Sequence, residues 1–164
     1  MRDLEWFWKP GQVDVTLFGN RGVNGIDGTL GTALGLAHRS DKPTFLLTGE
    51  LAFLHDSNAL LFSSYFQGSL TIILINNDGG GIFEHLAISQ HEAFEKCFAT
   101  PQSCSFQKLC EAHGINYKSP STWKEIIQEI ETPLSSGVRL IEIITDRKKN
   151  KKLRDNLLAI SGED

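Results

Sequence analysis

Residues 44–83 read TFLLTGELAFLHDSNALLFSSYFQGSLTIILINNDGGGIF, and this stretch decides the fold. Two short apolar runs, 44–48 and 70–75, flank a helical pattern over 51–66. The second run, LTIILI, is so uniformly apolar that both of its faces should be covered, as in the interior of a parallel sheet. Working outward, VDVTLF at 13–18 and VRLIEII at 138–144 read as further strands. Residues 27–38, 105–113, 122–130 and 150–160 read as helices, with Pro43, Gly68 and Gly114 as punctuation. This alternation predicts an α/β fold, a parallel sheet with helices on both faces. Residues 87–105 are the least regular part, and a long connection after a strand end is where an active-site loop would sit.

Composition sets the remaining bounds. A chain of 164 residues, 40% apolar and 22% charged, is expected to fold as one domain with a sizeable core rather than stay disordered. Sixteen basic against 20 acidic residues give a net charge of -4, which provides no field to gather nucleic acid. The basic run DRKKNKKLR at 146–154 reads as a solvated helix start. Cys97, Cys104 and Cys110 are odd in number and form no CxxC pair, which argues against a disulfide framework or structural zinc and for a reducing compartment. No apolar run approaches the roughly 20 residues that span a bilayer, and Met1 is followed by RDLEWFW rather than a leader. A cytoplasmic protein with no membrane contact is expected.

Ligands of open α/β sheets sit beyond the carboxyl ends of the strands. Three loops qualify: GNRGVNGIDG at 19–28, GELA at 49–52 and NNDGGGIF at 76–83. Glu50 offers a carboxylate, Asn77 an amide oxygen, and the bend at Asp78 and Gly79 a backbone carbonyl. Three oxygens of mixed type suit Mg²⁺, which completes its octahedron with water and substrate phosphates. The amides of Leu51 and Ala52, after Gly49 at a helix start, would face such a phosphate. Plainer readings stand beside this one. Asn, Asp and Gly dominate turns for backbone reasons alone, and Gly-Glu is an ordinary acidic helix start. What joins the two is their separation, with Asn77 standing 27 residues after Glu50 across one strand–helix–strand unit.

At that separation, Gly49-Glu50 followed by Asn76-Asn77 resembles the metal–diphosphate motif of thiamine diphosphate enzymes, usually Gly-Asp and then paired asparagines. NRGVNGIDGTLGTALG, GELAFLHDSNALL and INNDGGGIFEHL together are similar to the 2-succinyl-5-enolpyruvyl-6-hydroxy-3-cyclohexene-1-carboxylate synthase (MenD) family of menaquinone and phylloquinone biosynthesis, over nearly the whole chain. The resemblance implies thiamine diphosphate and Mg²⁺, with Mn²⁺ as an alternative ion. It implies that Glu50, the Asn77 side chain and the Gly79 carbonyl hold the metal, with Gly49, Leu51, Ala52 and Ile82 beside the cofactor. Ile26 matches the apolar residue beneath the bent cofactor, and the carbonyl of Asn24 would accept from its 4′-amino group. Arg21 matches an arginine that contacts substrate carboxylate, a task suited to a bidentate cation. Ile82, Phe83 and Leu86 match residues lining the substrate pocket, although composition alone would place them in the core. Arg2 matches a further family arginine. The implied transferase reaction decarboxylates 2-oxoglutarate and adds the succinyl carbanion equivalent to isochorismate.

The chain departs from the family pattern at Glu50, where Asp is usual. Nothing in it matches the family's activating glutamate, which comes from an upstream domain across a subunit interface, or the first strand with its Asn-Ser ending. Residues 1–164 are therefore expected to be a single C-terminal thiamine diphosphate- and Mg-binding domain of a longer multidomain enzyme. Alone it should be inactive, and when intact it should work with its upstream domains and a second subunit as a homo-oligomer. Two other readings are open: another thiamine enzyme, such as a 2-oxoacid decarboxylase or acetolactate-type synthase, or a non-catalytic α/β domain for nucleotide binding or interaction. His38, His55, His85, His91 and His113 lack metal-ligand spacing, and only His85 lies beside the expected pocket. Asp56 and Asn58 would either support the metal site from behind or cap and solvate their helix.

Overall fold

The apolar run at the centre of the sequence becomes an interior strand with a neighbour on each side in the computed structural model, which describes residues 11, 15–20, 22 and 24–161. Four strands, β1 (Thr44–Gly49), β2 (Ser69–Asn76), β3 (Asn116–Lys118) and β4 (Gly137–Ile144), form one sheet in the order β1-β2-β4-β3. Every pairing is parallel. Five α-helices occur among the described residues: α1 (Thr29–Ala37), α2 (Glu50–His55), α3 (Phe106–Ala112), α4 (Trp123–Glu131) and α5 (Arg147–Ser161). The register sets Gly49 beside Ile75 and Asn76 beside Ile144, so the carboxyl ends of β1, β2 and β4 finish level.

The period-two alternation of the strands divides their side chains between two covered faces. Leu70, Ile72 and Leu74 of β2, with Val138 and Leu140 of β4, meet Leu30, Ala33, Leu34 and Ala37 of α1, Phe53 of α2, and Phe106 and Cys110 of α3 in the main core. The α1 residues recur at the spacing of one helical face. Phe53 meets Phe106 edge-on with ring centroids 5.9 Å apart. Thr71, Arg139 and Ile141 point the other way and are buried as well. On that face Arg139 donates to Thr71 Oγ1 at 3.1 Å and to the Thr132 carbonyl, just past α4, at 3.0 Å. It also lies 4.0 Å from the Glu129 carboxylate of α4. Helices therefore cover both sides of the sheet, as the uniform hydrophobicity of β2 requires.

Several boundaries differ from the sequence reading. The helix expected over 51–66 stops at His55 and resumes as a 3₁₀ helix, Ser57–Ser64. The break falls at Asp56, whose backbone leaves the helical region (φ -110°, ψ 15°) and whose carboxylate accepts the Gly31 N–H of α1 at 2.7 Å, tying the two helices together. The last helix begins at Arg147 rather than 150, because Asp146 Oδ1 accepts the Lys149 N–H at 2.9 Å and caps an earlier start. β3, at three residues, is too short to show alternation. Residues 87–105 contain a 3₁₀ turn, Ala87–Gln90, and a π turn, Glu95–Ala99.

The strand expected over 13–18 is a correction. Residues 13 and 14 lie outside the described residues, and Val15–Phe18 form no strand, with Leu17 and Phe18 about two-thirds exposed. Alternation supplies a face, but a strand also needs a ladder partner, and among the described residues the outer edge of β1 pairs with nothing. Among the described residues no helix is long and apolar enough to cross a membrane.

Cys97 and Cys104 are exposed, whereas Cys110 is buried in the main core, where burial pushes its thiol up to about 12. Thiolate is the reactive form. Iodoacetamide at pH 8 is therefore expected to alkylate Cys97 and Cys104 in the native protein and Cys110 only after denaturation, as read by peptide mass mapping.

Candidate metal and diphosphate site

The level ends of β1 and β2 bring two loops into contact. β1 ends at Gly49 in extended backbone (φ -88°, ψ 161°), and Glu50 opens α2. Only 4% of Glu50 is exposed, and its carboxylate reaches across to the chain leaving β2. Oε1 accepts the Gly79 N–H at 2.5 Å and Oε2 the Asn77 N–H at 3.4 Å. Burial pushes the Glu50 carboxyl above its ordinary range, and these N–H groups draw it only part of the way back.

The β2 loop is held from below as well. Asn76 Nδ2 donates to Glu142 Oε1 of β4 at 2.6 Å, while Asn76 Oδ1 accepts the Asp78 N–H at 3.2 Å. The other Glu142 oxygen accepts the Tyr117 hydroxyl at 2.5 Å; burial and then this bond hold the phenol above its usual range. The backbone turns through positive φ at Asp78 (60°) and Gly79 (130°). It passes so close to the segment ending at Ala99 that the Gly80 N–H donates to the Ala99 carbonyl at 2.7 Å. A Cβ on Gly79 would lie 2.4 Å from that oxygen, so only glycine fits.

One group in this arrangement lacks a partner. Asn77 Oδ1 is buried and accepts no hydrogen bond, a state that costs about 1–3 kcal/mol unless something else satisfies the oxygen. Among the described residues no three His, Cys, Asp or Glu side chains are grouped to hold a metal. The oxygens this arrangement offers a cation are instead those of the Glu50 carboxylate, Asn77 Oδ1 and the Gly79 carbonyl, the last of which also accepts the Gly81 N–H at 2.9 Å. That is a hard, oxygen-only donor set of the kind Mg²⁺ or Mn²⁺ accepts, and the orphaned Asn77 oxygen fits it.

Arg147, the first residue of α5, closes the far side. Its guanidinium, 8% exposed, donates to the Asp78 carbonyl at 2.5 Å and to Glu84 Oε1 at 2.7 Å, and it also pairs with Glu95. Burial would lower its pKa, but the two carboxylates outweigh that and keep it charged. Lys148 adds a bond to Glu95 at 3.2 Å and, with Arg147, holds that carboxyl below its usual range. An open cleft bordered by Asn77, Asp78, Thr145 and Asp146 lies over the ends of β2 and β4.

The next turn, Gly81–His85, splits its side chains. Glu84 points inward to Arg147, Ile82 and Leu86 are about half exposed, and Phe83 packs edge-on against Phe98 at 5.9 Å. Ile82 and Leu86 are thus surface residues and not core. Leu51 and Ala52 lie in the first turn of α2, half-buried. Asn24 and Ile26 lie just before α1, exposed, with the Ile26 carbonyl accepting the Thr29 hydroxyl at 3.1 Å. Among the described residues no hydrogen bond or ion pair joins Asn24 or Ile26 to the Glu50–Gly79 arrangement. Arg2 and Arg21 lie outside the described residues. His85 is held by α5, against Arg154 and 3.6 Å from Asp155. Asp56 accepts the Gly31 N–H of α1.

Sequence reading missed Arg147, Glu84, Glu95, Glu142 and Tyr117 as parts of this assembly. A signal existed, since Thr145-Asp146-Arg147 ends a strand just as the three chosen loops do. Its relevance depends on β4 lying beside β2, which no local pattern reveals.

A parallel α/β sheet whose strand ends gather a carboxylate, an asparagine and a glycine bend defines a class, and comparison with known proteins identifies it. Residues 10–143 match the family model described as thiamine pyrophosphate enzyme, C-terminal TPP binding domain, and the chain belongs to that family. Its curated relatives are more particular. It is 51% identical over 155 residues to the 2-succinyl-5-enolpyruvyl-6-hydroxy-3-cyclohexene-1-carboxylate synthase of Synechococcus sp. (strain JA-3-3Ab), covering 94% of this chain and 26% of the relative. It is 50% identical over 159 residues to the same synthase of Trichodesmium erythraeum (strain IMS101), covering 96% and 27%. The chain thus spans about a quarter of the length of the curated relatives it matches. Among solved structures, the Rhodococcus jostii RHA1 thiamine diphosphate-dependent 4-hydroxybenzoylformate decarboxylase shares the fold, with a TM-score of 0.61 at 21% identity over 72% of this chain and 23% of that one.

Gly79→Ala is expected to destabilise the protein by about 1–3 kcal/mol, since it adds a clash with backbone to an unfavourable φ. Gly35→Ala, inside α1 with nothing within 4 Å of the new methyl, should stabilise by about 0.5–1 kcal/mol. Urea titration of the two variants side by side measures both.

Proposed function

We propose that Glu50, the side-chain oxygen of Asn77 and the carbonyl of Gly79 hold Mg²⁺, with Mn²⁺ able to replace it, and that this ion carries the diphosphate of thiamine diphosphate. The observation that carries this reading is the buried, unpartnered Asn77 Oδ1 beside a carboxylate already fixed by the loop's own N–H groups. Gly49 and the N–H groups of Leu51 and Ala52 line the diphosphate side. Ile26 supports the bent cofactor, the Asn24 carbonyl accepts from its amino group, and Ile82 lies against it. Ile82, Phe83 and Leu86 form the apolar wall of the substrate pocket and exclude water. Arg21 binds substrate carboxylate as a charge-assisted donor, and Arg2 serves as a further site arginine. When bound, the cofactor supplies an electron sink for the carbanion left by decarboxylation of a 2-oxo acid.

In the longer polypeptide the reaction proposed is a transfer in which 2-oxoglutarate is decarboxylated and its succinyl unit is added to isochorismate, within menaquinone or phylloquinone biosynthesis. The near 50% identity to synthases of that name supports it. Residues 1–164 form the C-terminal cofactor-binding domain of that enzyme. The glutamate that activates the cofactor comes from upstream domains, across the interface of a cytoplasmic homo-oligomer, so the isolated domain has no turnover.

Calorimetry on the intact protein tests the metal reading. Glu50→Gln and Asn77→Ala are each expected to weaken Mg²⁺-dependent thiamine diphosphate binding by at least about 100-fold, and wild-type affinity in both variants would overturn it. Product analysis with isochorismate or pyruvate as acceptor tests the reaction, and pyruvate as the better acceptor would overturn it. Turnover of 2-oxoglutarate by residues 1–164 alone would refute the need for upstream domains.

A further inference from the structure

We propose that Arg147 is a positioning residue for the metal site, one that fixes the tilt of a single peptide plane and ties it to the turn carrying Ile82 and Phe83. The inference rests on the metal reading above and extends it to a residue that stands 69 positions after Asp78 in the chain.

The peptide linking Asp78 and Gly79 is held at both ends. Its carbonyl accepts from Arg147 Nη1 and its N–H donates to Glu50 Oε1, each at 2.5 Å. Because the peptide unit is planar and trans, two bonds on opposite edges leave it no freedom to rotate. That plane sets the direction of the chain into Gly79; the Gly79 carbonyl lies in the next plane, which is held in turn by the Gly80 N–H on the Ala99 carbonyl at 2.7 Å and by the Gly81 N–H donating to the Gly79 carbonyl at 2.9 Å. The Asn77 side chain is confined by the same loop: a Cβ on Gly81 would come within 2.7 Å of Asn77 Nδ2 and 3.3 Å of Arg147 Cβ. Arg147 therefore packs directly on the loop as well as bonding to it.

The same guanidinium reaches two further segments. Nε donates to the buried Glu84, between Phe83 and His85, and Nη2 pairs with Glu95 at the start of the π turn. That π turn ends at Ala99, whose carbonyl receives the Gly80 N–H. Three stretches of loop thus converge on one planar fork, a task for five N–H donors in fixed directions that an ammonium group cannot reproduce. Asp78 Oδ and Lys148 face the solvent side of this assembly.

The test uses the intact multidomain protein and reads Mg²⁺ and thiamine diphosphate affinity by calorimetry alongside the unfolding midpoint of the unloaded protein. Arg147→Lys keeps the charge and loses the fork; it is expected to weaken Mg²⁺ binding by about 10–100-fold, the range typical of residues that orient metal ligands. Arg139→Lys is the control, since Arg139 is equally buried but bonds to Thr71 and Thr132 on the far face of the sheet. It should lower the unfolding midpoint and leave Mg²⁺ affinity within about twofold. Should Arg147→Lys fail to fold, Arg147→Met combined with Glu84→Gln strands no buried carboxylate and carries the same expectation. Unchanged Mg²⁺ affinity in the Arg147 variant, or an equal loss in Arg139→Lys, overturns the inference while leaving the metal reading intact. If the wild-type protein itself binds neither Mg²⁺ nor thiamine diphosphate, the metal reading falls and this inference falls with it.

Discussion

The carboxylate of Glu50 is placed where it has no choice of surroundings. β1 and β2 run parallel and finish level, with Gly49 beside Ile75, so the residue after Gly49 must meet the chain leaving β2. A carboxylate forced out of water at that point needs donors or a cation. The loop supplies two backbone N–H groups, and to deliver them it must turn through positive φ at Asp78 and Gly79. That turn carries the chain into its tight passage against Ala99, where a Cβ on Gly79 or Gly80 would meet backbone.

The same economy of partners appears in the other buried charges. Glu142 is satisfied by an amide and a phenol, Glu84 by a guanidinium, and Arg139 by a hydroxyl, a carbonyl and a more distant carboxylate. Each of these charges has distinct donors or acceptors, as desolvation requires, although the Nε of Arg139 is itself buried without a partner. Against that background the orphaned oxygen of Asn77 stands out, because its neighbours are so fully paired.

Legibility in the sequence followed the range of the interaction involved. β1, β2 and β4 could be read because a buried parallel strand is apolar on both faces, and Glu50 with Asn77 because one strand–helix–strand unit contains them both. The segment 13–18 misled because alternation describes a face and says nothing about a ladder partner. The helix break falls at Asp56, whose carboxylate is tied to Gly31, 25 residues away, a contact that periodicity does not contain. Arg147 was read as part of a solvated helix start, yet its partners stand 69, 63 and 52 residues upstream. Ile82 and Leu86 were separable from core residues only through the family resemblance, since side-chain type is the same in a pocket and an interior.

The late arrival of Arg147 bears on folding. β1, α2 and β2 are contiguous and close through a short crossover, whereas β4 and α5 reach β2 only after the intervening stretch that contains α3, β3 and α4, and such non-local closures are the slow ones. The loop between Asn76 and Gly81 can be bent by Glu50 early, but it is fastened on its second side only when α5 docks. A nascent or locally frayed chain that has lost α5 would keep its strand–helix–strand unit and lose the fastening. The second fastening of the loop is thus withheld until the last helix is in place.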